Sequence, residues 1–357
     1  MKSLVQAALA ILVACGLLFY ASYSLNATGG GGGSGVITVY NWGEYIDPEL
    51  LDRFTEETGI QVIYETFDSN EAMLTKIQQG GSVYDVAVPS EYTIEMMKED
   101  DLLIPIDHSK IPNLANIDPY FLDLPFDPGN EYSVPYFWGT LGIVYNPNMI
   151  EEHLTFDSWE DLWDPSLKDK VFLVDGTREV IGMGLNSLGY SLNVKDEALL
   201  KQATEKLITL APNIKGIIGD EITPLMVNNE AAVALTFSGQ AADMMWENEE
   251  LEYNVPKEGS NLWFDNFVIP KTARNIDGAH AFINFMLDAE VSAQNTDYVG
   301  YSTPNAAAME LLDEEVVTDE RFYPSEELLN NLEVYENLGL EWLGKYSEYF
   351  LIFKMSL

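Results

Sequence analysis

The first stretch of the chain able to do chemistry is Asn41-Trp42-Gly43-Glu44-Tyr45, where an indole, a carboxylate and a phenol crowd one short turn. It follows Val36-Ile37-Thr38-Val39-Tyr40, a charge-free, β-branched run that reads as a buried strand. Asp47-Pro48 come almost at once, an N-cap residue and then the residue best tolerated at the first helical position. Open α/β sheets hold their ligands at such carboxyl ends of strands. A turn needs only the glycine. Trp, Glu and Tyr spent there either pack on their own domain or touch something, and recurrence of the pattern favours contact.

It does recur. Ser90 and Tyr92 follow the apolar run Tyr84 to Val88, and Asp175 to Glu179 follow Lys170 to Val174. Phe237 ends the run from Ala231, Trp263 and Asp265 lead into Phe267-Val268-Ile269-Pro270, and Tyr301 lies in a Gly/Pro-marked loop. If the segment around Trp263 is extended, Trp263 and Asp265 share one face. Carboxylates near aromatic faces suit an alkylammonium: the acid neutralises charge, and each ring covers methylenes and adds about 0.5–2 kcal/mol of cation–π attraction. A buried carboxylate without a cation is costly. Basic residues at these turns are few, and Arg178 is expected to pair with a neighbouring acid.

Bulk composition narrows the classes. There are 58 Asp+Glu against 18 Lys+Arg, a net charge of −40, which repels nucleic acid and bare anionic lipid and draws in cations. Most of these acids must be solvated, so no carboxylate marks a site by itself. A single cysteine, Cys15, excludes an intrachain disulfide and any thiolate cluster, and three scattered histidines leave little for zinc or a catalytic triad. No cofactor or resident metal is implied. Gly29 to Gly35 precedes a strand and lacks a following Gly-Lys-Ser/Thr, so it reads as a flexible linker and not a phosphate loop. Gly182-Met183-Gly184 lacks the third glycine of a dinucleotide fingerprint and reads as helix packing.

The elements that must position these residues alternate strand and helix. Pro48 to Thr58 reads as a helix with Leu50, Leu51 and Phe54 inward and Gly59 as its stop. Ile60 to Glu65 is a strand, Asn70 caps a helix with Met73, Leu74 and Ile77 inward, and Tyr84 to Val88 is the next strand. Tyr132 to Thr140 leads into the strand Leu141 to Tyr145 as a first crossover with a hinge at Gly139, its aromatics serving as core. The grammar then repeats, with helices at 196–210 and 277–287, a return crossover at 262–270, and helical segments near 325–338 and 341–355. The 357 residues suit two domains. The expected fold is α/β and two-lobed, each lobe a mainly parallel sheet flanked by helices. The boundaries read as 36–140 plus 265–309 for the first lobe and 141–264 plus 310–357 for the second.

Ahead of the body, residues 1–28 read as a leader or anchor: Leu4 to Leu25 is almost wholly apolar and long enough to span a bilayer at about 20 residues. Leu12-Val13-Ala14-Cys15 matches a lipoprotein box, with Cys15 the lipidated residue, while the apolar run beyond it fits an uncleaved signal anchor. Either places the body outside the cytoplasm, tethered to the membrane.

Several stretches carry a family likeness: 40–45, 56–62, 84–90, Phe126-Asp127-Pro128-Gly129-Asn130, Arg178-Glu179-Val180 and Gly300-Tyr301-Ser302-Thr303-Pro304-Asn305. From about Val36 onward the chain closely resembles the bacterial spermidine/putrescine-binding proteins of ABC importers, within the periplasmic-binding-protein class. The resemblance implies a type II-like fold and a non-enzymatic, monomeric binding subunit that hands a polyamine to a membrane permease. It also implies that Trp42, Glu44, Tyr45, Ser90 and Tyr92 line the site from the first lobe. Glu179, Phe237, Trp263 and Tyr335 would come from the second lobe, and Asp265 and Tyr301 from the hinge side. In the family, rings sandwich the methylene chain while acids take the ammonium groups. This chain has Gly43 and Gly176 where a hydroxyl and a second Asp are found, Phe237 in place of a Trp and Tyr335 in place of a Gln. Asp175 or Asp220 would then make up charge. Competing readings are a same-fold protein for ferric iron or an oligosaccharide, or an exported glycosidase using Glu44 and Asp265.

Overall fold

The computed structural model describes residues 35–219 and 221–357. The leader, Cys15, the linker up to Ser34, and Asp220 lie outside the described residues.

Strand β1 (Val36–Trp42) pairs in parallel with β2 (Gln61–Phe67) and β3 (Val86–Ala87). Helix α1 (Pro48–Thr58) joins β1 to β2: Asp47 accepts from the Glu49 N–H, Leu50 and Phe54 are buried, and the chain turns out at Gly59. Helix α2 (Asn70–Gln79) joins β2 to β3 and buries Met73, Leu74 and Ile77, while α3 (Glu91–Glu99) follows β3. Sequence periodicity places the helices, because one apolar stripe per helix must face the sheet.

Two long strands follow the βαβ start. Strand β5 (Ser133–Tyr145) lies antiparallel to β10 (Leu262–Pro270) through its first half and to β8 (Val233–Phe237) through its second. Strand β8 pairs in parallel with β6 (Val171–Val174), and β6 with β7 (Ile214–Ile218). The sheet runs β2-β1-β3-β10-β5-β8-β6-β7, with β4 (Leu103–Ile104) beside β10 and β9 (Glu252–Asn254) beside β5. Helices α4 (Thr177–Asn186) and α5 (Glu197–Leu210) flank the second half. The chain then adds α6 (Ile222–Val227), α7 (Ser238–Glu247), α8 (Ile276–Met286), α9 (Ala289–Val299) and α10 (Leu340–Lys354).

Burial follows the two halves. One core gathers Ile37, Val39, Phe54, Val86, Phe267 and Phe282; another gathers Ile143, Trp159, Leu173, Val180, Leu207 and Phe353. Strand β5 passes from one to the other. Tyr136, Phe137 and Trp138 are all buried, so that aromatic run is core. Gly139 is needed for close approach: a Cβ there would stand 2.5 Å from the Trp263 ring and 2.5 Å from Ser238 Oγ. Gly182 and Gly184 are buried in α4, against Leu192 and Leu207.

Three expectations are corrected. Tyr84 to Val88 forms only the two-residue strand β3. Ser69, not Asn70, caps α2, accepting from the Ala72 N–H. Residues 325–338 hold one helical turn, Glu326–Leu329, and then run extended. There the Glu333 N–H donates to Ser260 O at 2.9 Å and Glu333 O accepts from the Leu262 N–H at 2.9 Å. Pairing with the start of β10 overrides local helix propensity.

Candidate functional site

Strand β10 sets the site. Trp263 and Asp265 lie on one face, as strand alternation requires, and a register shift between Asp265 and Asn266 bends the strand just after them. Asp265 is 5% exposed; Oδ2 accepts from the Tyr45 hydroxyl at 2.8 Å and Oδ1 from the Ser90 hydroxyl at 2.6 Å. No ion pair to Asp265 exists among the described residues. Burial pushes its carboxyl up to about 6, against the pull of those two hydrogen bonds. A carboxylate desolvated to this degree and left without a cation is destabilising in the empty protein.

Ser90 is placed by Asn70. The Asn70 amide donates to Ser90 Oγ at 3.0 Å and accepts from the Ser90 N–H at 3.1 Å. With its hydroxyl spent on Asp265, Ser90 gives α3 no side-chain cap. Tyr45 in turn sits edge-on to Phe137 at 5.3 Å and to Tyr301 at 5.2 Å. Tyr301 is edge-on to Trp263 at 5.2 Å, and Phe237 to Trp263 at 6.2 Å. The Trp263 indole N–H is buried without a partner. Tyr45, Ser90, Phe237, Trp263, Asp265 and Tyr301 are thus knitted by direct contact.

A second group forms around Arg178. Tyr335 is buried with its ring 4.1 Å beneath the guanidinium, and Tyr92 is edge-on to Tyr335 at 6.2 Å. The Tyr335 hydroxyl has no partner. Glu179 is half-buried, its carboxyl raised by burial and by Glu71 and lowered by Arg178. The expected pairing of Arg178 with an acid is corrected: it donates to Leu192 O, Glu336 O and Asn193 Oδ1 and lies over the Tyr335 ring, while its Nε is buried without a partner. Asp175 is exposed and bound by Lys354 at 2.7 Å, so its charge is already met.

Trp42 is the last residue of β1, half-buried and tilted on Phe67 at 4.5 Å, and its indole N–H is buried without a partner. Glu44 is exposed and has a left-handed backbone, φ 49. The contacts that build the two groups run through neither residue.

Glu91, Asn70 and Glu71 carry weight that sequence reading missed. Glu91 is fully buried: Oε2 accepts from the Phe264 N–H at 2.9 Å, Oε1 has no partner, and burial pushes the carboxyl up to about 8. Its place between Ser90 and Tyr92 was a signal, hidden by the abundance of acids. A cavity of about 380 Å³ is lined by Leu262 and Phe264, whose side chains leave β10 opposite to Trp263 and Asp265, and Tyr335 alone of the expected site residues borders it.

Residues 49–323 match the family of bacterial extracellular solute-binding proteins. The spermidine/putrescine-binding periplasmic protein of Salmonella typhimurium is 39% identical over 312 residues, 87% of this chain and 89% of that protein. A solved structure described as a putative spermidine/putrescine ABC transporter from Listeria monocytogenes is 62% identical with TM-score 0.87, covering 91% of this chain and all of that one. A spermidine/putrescine ABC transporter substrate-binding protein from Streptococcus pneumoniae, solved with calcium and HEPES, is 59% identical with TM-score 0.81, covering 90% and 99%. The α/β architecture described above is that of these binding proteins.

Proposed function

Because the chain belongs to the bacterial extracellular solute-binding proteins, we propose that it is the substrate-binding subunit of an ABC importer and captures a polyamine, spermidine or putrescine. The observation that carries this reading is Asp265: a buried carboxylate held by Tyr45 and Ser90, walled by Trp263 and Tyr301, and met by no cation among the described residues. An ammonium group completes that charge balance, and the rings cover the methylene chain. The ligands for which these relatives are named support the same class.

The two main hydrophobic cores support a division into two lobes closing on the ligand across β5 and β10; we draw it at 36–140 plus 265–309 and 141–264 plus 310–357, although Leu262, Trp263 and Phe264 at the boundary pack in the first core. In this reading Trp42, Glu44, Tyr45, Ser90, Tyr92, Asp265 and Tyr301 act from the first lobe and Glu179, Phe237, Trp263 and Tyr335 from the second. Closure buries the ammonium against acids, so the ligand shifts the hinge equilibrium and no bond is made or broken. The protein works as a monomer, tethered outside the cytoplasm by its amino end, and delivers its cargo to a membrane permease.

A thermal-shift and calorimetry panel of putrescine, spermidine, spermine, maltose and ferric citrate tests this. A polyamine at 100 times its dissociation constant stabilises by about 2.7 kcal/mol. A protein that responds to maltose or ferric citrate and to no polyamine would sink the reading.

A further inference from the structure

Two helices present their first turns to the Tyr92–Tyr335 group, one from each core. Helix α2 opens with Glu71 and α4 with Glu179. The Tyr92 hydroxyl donates to Glu71 Oε1 at 3.3 Å, and its phenol feels the negative charge of both Glu71 and Glu179. The two carboxylates repel each other across this group. Gly176 allows the arrangement: a Cβ there would collide with the Glu179 carboxylate, which folds back over the start of its own helix.

Among the described residues one cation stands nearby, Arg178, and its hydrogen bonds go to two carbonyls and Asn193. Two negative charges against one positive leave this end of the site anionic. A buried donor also waits there. The Tyr335 hydroxyl, on a side chain 4% exposed, has no partner. It stands 3.6 Å from where a Cβ on Gly182 would lie, one turn along α4 from Glu179.

We propose that Glu71 is a specificity-determining residue: with Glu179 it holds the second ammonium of a polyamine, at the end of the site away from Asp265. The site thereby selects chains with two or more charged nitrogens. This rests on the polyamine reading above. Glu71 is exposed in the empty protein and so weakly felt by a distant cation. It gains strength when an ammonium sits between it and Glu179 and water leaves.

The test is calorimetry on the full-length protein with putrescine, spermidine and N-acetylputrescine, which keeps the carbon chain but carries one charge. The wild type is expected to prefer putrescine over N-acetylputrescine by at least about tenfold. Glu71→Gln should weaken putrescine and spermidine by about tenfold and narrow that preference, and Glu71→Asp should restore part of it. Glu56→Gln, an exposed acid of α1, removes the same charge and should leave all three affinities unchanged. Glu71→Gln binding both polyamines as the wild type does, or Glu56→Gln costing as much as Glu71→Gln, overturns the assignment. A wild type that binds no polyamine overturns the underlying function instead.

Discussion

At pH 6 the Asp265 carboxyl is divided about evenly between its two forms in the empty protein, because burial lifts it there. An ammonium binds the ionised form, so binding below pH 6 must first release a proton. Spermidine affinity should be nearly flat from pH 7 to 8 and fall about fivefold between pH 6 and 5. Calorimetry at pH 6 in two buffers of different ionisation heat should register the released proton; affinity that is level down to pH 5 would remove Asp265 from the site. Asp265→Asn keeps the shape and loses the charge, and is expected to cost about 2–5 kcal/mol of spermidine binding. Glu91 is different. Its folded carboxyl, at about 8, lies above the ordinary value of 4.5. Below 4.5 both folded and unfolded chains hold the proton. Between 4.5 and 8 the unfolded chain ionises first, so stability is lost as pH rises and then levels off. Glu91→Gln mimics the protonated group, and the melting temperature it gains over wild type should grow from pH 5 to pH 8. An equal effect at both pH values would contradict the burial argument.

At the level of elements, α3 is an example of structure spent on the site. Its N-cap Ser90 turns away from the helix to Asp265 and is held there by Asn70 at the start of α2. Asn70→Ala should cost about 1 kcal/mol of stability by losing these bonds, and should weaken spermidine severalfold as Ser90 loosens. Lost stability with unchanged spermidine affinity would make Asn70 a strut of the fold only. Much of this frame was legible in the chain: Asp47 and Gly59 bracket α1, and the alternation of Trp263 and Asp265 on β10 came directly from period two. Local rules failed where distant partners decide. Asn70 reads as a cap but serves Ser90; 325–338 reads as helix but pairs with the start of β10; Arg178 reads as an ion-pair partner but rests on carbonyls and Tyr335. Glu91 escaped for another reason. Among 58 acidic residues its place between Ser90 and Tyr92 is too weak a signal to mark Glu91 as one that folding buries.

For the molecule as a whole, the net charge of −40 and the unneutralised acids of the site act on the same ligand at different ranges. The surface field reaches only about a Debye length, roughly 10 Å at 0.1 M salt, and governs encounter. The buried acids act at contact, are screened little, and govern release. Trp42 and Trp263, both proposed above to line the site, make intrinsic fluorescence a reporter of the second stage, since their N–H groups are buried without partners in the empty protein. Stopped-flow mixing with spermidine should therefore give an association rate that falls steeply from 20 to 500 mM salt and a dissociation rate that changes little. Putrescine, with fewer charges, should show the shallower slope. The two stages also separate the variants: Asp265→Asn should raise the dissociation rate far more than it lowers association, because one charge among so many hardly alters the surface field. A dissociation rate as salt-sensitive as the association rate would mean that the acids meeting the ligand remain in water, and a closed, desolvated site could not then be the source of affinity.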